Sequence, residues 1–191
     1  MDLSKISKGG QIFSGAAIVF LIASFLPWYS VDFEGGALFA GVEDSFNAWG
    51  DIGFLWGSLW ALLLLAGAVL LILPAFGVQA PKLPAVAYLA VAALATLFVL
   101  LKLVIGEDDA PGFYSINTGI GLYLAVLAAA AATFGAFLMF KESGGDIGDL
   151  TDMNKLKGQF GGTPGAGGGG TPPPPPPPGM TPPPPPPPPM G

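Results

Sequence analysis

The chain contains no cysteine, no histidine and no arginine. Without cysteine there can be neither a disulfide nor a thiolate metal site, and nothing indicates a redox compartment. Without histidine the commonest metal ligand is missing, along with the usual proton carrier near neutral pH. All seven basic residues are lysines, which removes the planar, bidentate grip on phosphate or carboxylate that a guanidinium provides. Charge of any kind is scarce: 10% of residues, against roughly 25% in soluble domains. The net charge of −6 argues against nucleic acid as a partner. An enzyme built from this alphabet would depend on carboxylates, lysines and hydroxyls converging in one place, and no such cluster is visible. The chain therefore reads as non-enzymatic, with no catalytic residue, cofactor or metal ligand to nominate.

What remains is apolar. Hydrophobic residues make up 52% of the chain. They gather into four runs, at 12–28, 52–73, 85–105 and 120–140, each near the roughly 20 residues a helix needs to cross a bilayer core. A backbone exposed to lipid must satisfy its own hydrogen bonds, and period-2 alternation is absent from the runs, so they are expected to be helices and not barrel strands. The expected fold is an all-α membrane protein: a four-helix transmembrane bundle with a small outer β-hairpin-like loop and a disordered C-terminal tail. Residues 1–10 form a short N-terminus and 11–140 the bundle. An amphipathic segment (141–160) and a Gly/Pro-rich tail (161–191) follow.

The gaps between the runs sort the charges by sign. Lys5 and Lys8 precede the first run, Lys82 lies between the second and third, and Lys141, Lys155 and Lys157 follow the fourth. The other two gaps are acidic, with Asp32, Glu34, Glu43, Asp44 and Asp51 in one and Glu107, Asp108 and Asp109 in the other. Lysine bias sets the orientation of a membrane protein, so the expected location is the cell membrane, multi-pass, with both termini cytoplasmic. The first run ends in Phe25-Leu26-Pro27-Trp28-Tyr29, not in the small-x-small pattern of a signal-peptidase site, and so reads as a span.

Trp28, Tyr29 and Trp49 are expected to be interfacial anchors, because amphipathic rings favour the headgroup level. Lys102 is the single ionisable residue inside a run, and such residues are functional candidates. It lies one turn from the end of the third run, where its stem can snorkel to water beside Glu107, Asp108 and Asp109. That reading makes it an anchor whose replacement by glutamine leaves folding unchanged; an ion or substrate role is the alternative. Gly53 with Gly57, and Ala131 with Gly135, have the four-residue spacing of close helix packing, within one chain or in a homo-oligomer. No polar stripe marks a conducting pore.

In the first outer loop Tyr29-Ser30-Val31-Asp32-Phe33 alternates, Gly35-Gly36 offers a turn, and Ala37-Leu38-Phe39 returns as a second strand. Asp44-Ser45 is expected to cap a helix through Phe46, Ala48 and Trp49 into the second span. After the fourth run Ile147, Leu150, Met153, Leu156 and Phe160 recur at helical spacing and predict one amphipathic face. Asp146 stands ready to cap it, and Lys155 and Lys157 suit its C-terminal dipole. Two readings of this face stand: lying on the inner leaflet, or docking to a protein partner. Beyond it are two proline blocks, Pro172 to Pro178 and Pro182 to Pro189, which form polyproline II rods of roughly 3.1 Å per residue. Rods of this kind fit aromatic-lined grooves, so the tail is either bait for a cytoplasmic protein or a spacer.

Three stretches, Leu26-Pro27-Trp28-Tyr29-Ser30, Phe46-Asn47-Ala48-Trp49-Gly50 and Gly119-Ile120-Gly121-Leu122-Tyr123-Leu124, give the chain a family resemblance. It resembles uncharacterised four-span membrane proteins of high-GC Gram-positive bacteria, over residues 14–140. The resemblance implies a variable cytoplasmic extension, Pro/Gly-rich or a zinc ribbon; the cysteines of the ribbon form are absent here. It implies no activity and no site residues. The residues thus favour a membrane anchor or scaffold that presents the amphipathic segment and proline tail, with a transporter or channel subunit as the alternative.

The lysine asymmetry makes the topology testable with single cysteines. Gly36→Cys and Asp109→Cys should react with a membrane-impermeant thiol reagent in intact cells, and Ser143→Cys should not. Labelling at Ser143 alone would reverse the orientation.

Overall fold

The computed structural model describes residues 6–33, 43–50, 52–107 and 114–160. Helix α1 (Lys8–Phe25) leads into strand β1 (Tyr29–Phe33), and strand β2 (Glu43–Phe46) precedes helix α2 (Ser58–Ile72), which ends in a 3-10 turn at Leu73–Phe76. Helix α3 (Ala85–Ile105) is followed by strand β3 (Tyr114–Thr118), helix α4 (Ile120–Glu142), a 3-10 turn at Ile147–Leu150 and helix α5 (Met153–Phe160). The four main helices are long and apolar enough to cross a membrane. All three strands fall at one end of the bundle. They form an antiparallel sheet in the order β2-β1-β3, with Tyr29 opposite both Phe46 and Thr118.

α1 and α4 share the most extensive helix–helix contact, α3 packs on α4, and α2 on α1, while α2 and α3 barely meet. The tight seam depends on absent side chains. A Cβ on Gly9 would lie 2.5 Å from the Met139 backbone nitrogen, and one on Gly135 2.6 Å from that of Phe13. Alanines 125, 128, 129, 132 and 136 continue the α4 side of the core, facing Phe13, Ala17 and Phe20 of α1. Close backbone approach of this kind lets dispersion contacts accumulate where apolar burial alone gives little drive.

Several expectations change. The proposed helix at 44–49 is instead β2 and a turn: Glu43 to Phe46 pair with β1, which satisfies backbone groups that a helix start would leave open. The partner strand expected at 37–39, and the glycine turn before it, lie outside the described residues. Strand β3 was not anticipated, although Tyr114-Ser115-Ile116-Asn117-Thr118 alternates; its partner β1 is some eighty residues away in sequence. The second helix starts at Ser58, not 52, because Gly53 has φ +96° and breaks any helix there. Gly53 and Gly57 are therefore not a helix-packing pair. Gly57 instead clears space for Ala48 and the Trp28 ring, which a Cβ would approach to 2.5 and 3.0 Å. Ala131 is exposed, so Gly135 packs without it.

Gly9→Leu or Gly135→Leu should lower the Tm of the detergent-purified protein substantially, since the obstructing atoms are backbone; overpacking typically costs about 1–3 kcal/mol. Gly15→Leu, where a Cβ meets nothing within 4 Å, should leave the Tm unchanged or raise it.

Candidate functional site

The sheet end is built around the turn where α1 stops. Leu26 and Pro27 are extended, and every free backbone group of Pro27 and Trp28 has a distant partner. Trp28 N–H donates to Phe46 O (2.8 Å); Trp28 O accepts from Gly119 N–H (2.7 Å) and Pro27 O from Gly121 N–H (2.9 Å). The Trp28 indole is fully buried and its Nε1 donates to Ala23 O at 3.0 Å. Glycine is required beside it: a Cβ on Gly119 would sit 2.3 Å from Pro27 O. Residues 26–30, 46–50 and 119–124 thus meet here.

Tyr29, at 1% exposure, donates its hydroxyl to the backbone oxygen of Lys102 at 2.9 Å. The Lys102 ammonium in turn lies 5.4 Å from the Tyr29 ring centroid and 5.6 Å from that of Trp56. It donates to Gly106 O at 3.2 Å and forms an ion pair with Glu107. Lys102 is 5% exposed. The expectation of a lysine that snorkels to water is thus replaced by a buried cation in an aromatic box, while its expected pairing with Glu107 is present and closes the box. The cause is local: Gly106, with φ +71°, turns the chain back so that Glu107 covers the helix end. Burial first, and Glu107 second, push the Tyr29 hydroxyl up to about 12.

Trp28 and Tyr29 are likewise internal, and not presented outward as anchors; their polar atoms are satisfied by the protein itself. Trp49 is the more exposed ring, at 39%. It stacks on Phe25, and its Nε1 donates to the buried Ser24 Oγ at 2.8 Å. In the middle of the bundle Thr96 and Thr133 join α3 to α4 through a 2.9 Å hydroxyl contact.

The opposite end holds a cleft of about 800 Å³ where α2 and α3 diverge. Its mouth carries Gln79, Lys82, Glu142 and Ser143. A smaller apolar slot of about 150 Å³ extends along α2 and α3; Leu70, Leu83 and Tyr88 line both spaces. Phe13 backs the slot, edge-on to Tyr88 at 5.5 Å. Nothing in the sequence pattern singled out this cleft, because Lys82 read only as an orientation signal.

The predicted amphipathic face is divided. Ile147 and Leu150 belong to a 3-10 turn and Met153, Leu156 and Phe160 to α5. Asp146 caps the first piece as expected, in a reciprocal box with Asp149. Asp152 caps the second, accepting from Asn154 N–H at 2.9 Å, and so starts a new helix in mid-segment. Lys155 bonds Asp149 across the break at 2.6 Å, an exposed pair that lowers the Asp149 carboxyl and raises the lysine. Ile147 is exposed, while Leu150 and Leu156 are half-buried. Pro172, Pro178, Pro182 and Pro189 lie outside the described residues. No group of three potential metal ligands occurs among the described residues.

The Lys102 box predicts an asymmetry. Glu107→Gln strands a buried ammonium and should cost about 2 kcal/mol, whereas Lys102→Met leaves a carboxylate that can turn to solvent and should cost less. The double variant should recover most of the Glu107→Gln loss, read as Tm in detergent. Tyr29 adds a pH dependence. Its folded pKa exceeds the unfolded value of 10.0, so its stabilising share is complete below pH 10 and is lost as pH rises towards about 12. Tyr29→Phe should flatten that alkaline decline.

No protein-family model, curated protein or solved structure matches the chain, so a functional reading rests on its own residues and geometry.

Proposed function

We propose that this is a four-span integral membrane protein of the cell membrane that serves as a non-enzymatic anchor or scaffold. Both termini face the cytoplasm. The observation that carries the membrane reading is the outer surface of the bundle. Each of the four helices exposes large apolar side chains, among them Ile22 and Phe25, Leu62 and Val69, Leu97 and Val104, and Leu127 and Phe134. A contiguous apolar surface on every helix suits lipid and not water. Asp32, Glu43, Asp44 and Glu107 share the sheet end, and Lys8, Lys82 and Lys141 the other, in line with the lysine rule.

The scaffold reading is supported by the way polar groups inside the bundle pair off. Thr96 bonds Thr133, Ser24 bonds Trp49, and Lys102 pairs with Glu107; among the described residues Ser14 Oγ is the buried side-chain atom left without a partner, too little for a polar transport path. Beyond α4, by contrast, the chain has the composition of a presented segment: a capped amphipathic stretch, then a glycine-rich stretch and two proline blocks. The partners are the bilayer and a cytoplasmic protein that reads the tail.

Deleting residues 171–191 should remove specific cytoplasmic partners while the bundle stays monodisperse in detergent. A Gly/Ser replacement of the same length should do the same, because it keeps the reach and destroys the preformed rod. Retention of every partner by the Gly/Ser version would reduce the rods to spacers and move the binding surface to residues 146–160.

A further inference from the structure

A bundle whose helices pack well on three sides and part on the fourth leaves a gap that something must fill. Here α1 with α4, α3 with α4 and α1 with α2 are in close contact, whereas α2 and α3 meet at the Trp60 and Phe98 rings and part towards the end away from the sheet. The gap is about 800 Å³, within the range of ligand sites, and its lining is mostly apolar with a few charged and polar groups. At its mouth stand one cation and one anion, Lys82 and Glu142. They form no ion pair with each other: among the described residues the ion pairs are Lys102 with Glu107 and Lys155 with Asp149. Glu142 accepts only a long contact from Gly9 N–H at 3.4 Å, and Lys82 is exposed with no hydrogen bond to a described residue. Further in, Leu63, Ala66, Gly67, Ala87 and Val91 line the narrow slot beside Tyr88. Gly67 keeps it open, since a Cβ there would lie 3.2 Å from the Phe13 ring.

We infer that this cleft binds a zwitterionic phospholipid of the phosphatidylethanolamine type. The Lys82 ammonium takes the phosphate, the Glu142 carboxylate takes the ethanolamine ammonium, and an acyl chain enters the slot between α2 and α3. The charge pattern selects the headgroup: a net-anionic lipid would satisfy Lys82 and be repelled by Glu142, and a bare acyl chain would leave both charges without a counter-charge. The site rests on the membrane reading above, which places this end of the bundle at the inner leaflet.

The test uses the full chain, extracted from the membrane fraction in mild detergent, delipidated, and offered equimolar phosphatidylethanolamine and phosphatidylglycerol before native mass spectrometry. The expected result is one bound phosphatidylethanolamine, favoured several-fold over phosphatidylglycerol. Glu142→Gln should retain lipid and lose the preference; Lys82→Gln should reduce occupancy by both lipids. Ala66→Trp, at an exposed position lining the slot, should lose the bound lipid while keeping the elution volume and helical signal of the parent. Equal binding of the two lipids by the parent, or unchanged binding by Ala66→Trp, overturns the site. A chain in the membrane fraction that retains no lipid also overturns the site and leaves the membrane reading standing. A chain missing from the membrane fraction overturns both.

Discussion

The turn at Leu26-Pro27-Trp28 constrains everything around it. Pro27 has no N–H to donate, so α1 ends without leaving that donor open, and the remaining polar groups of the turn reach outward. One bond fixes the end of β2, and two fix the start of α4. Three parts of the chain, far apart in sequence, are thereby held at one point beneath a buried indole. Each approach is possible only because Gly57, Gly119 and Gly121 carry no side chain. The sheet, the register of α1 on α4 and the burial of Tyr29 all follow from this arrangement.

Charge is handled in two contrasting ways at the two ends. At the sheet end the cation is enclosed: Lys102 has two aromatic faces, a carbonyl and a carboxylate, and no unmet demand. Desolvating an ammonium is costly, and the enclosure offsets that cost only because every partner is held by something else, Tyr29 by the sheet and Glu107 by the turn at Gly106. At the other end Lys82 and Glu142 flank an open cleft without closing it.

Much of this was legible in the residues. The four apolar runs, the sign-sorted gaps, strand β1, the Asp146 cap and the limits of α3 all depend on local composition or short-range periodicity, which a linear reading captures. The errors share a different origin. Trp28, Tyr29 and Lys102 are amphipathic side chains whose ends can point to lipid headgroups or to internal partners, and their composition is the same in either case. Asp44 and Ser45 can cap a helix or pair in a strand, and the choice was made by β1. Asp152 was one acid among several until its carboxylate was seen to start a helix.

The sequence by itself determined that four helices form, their approximate positions and how charge divides between their ends, because hydropathy and net charge are sums over neighbouring residues. Only the tertiary structure decided which glycines serve as contacts, that β3 joins β1, that Lys102 is enclosed, and that α2 and α3 part to leave a cleft. The glycine contacts and the β1–β3 pairing depend on backbones meeting across roughly 25 to 130 residues of chain, where a clash of a few tenths of an ångström selects the arrangement and no local pattern records it.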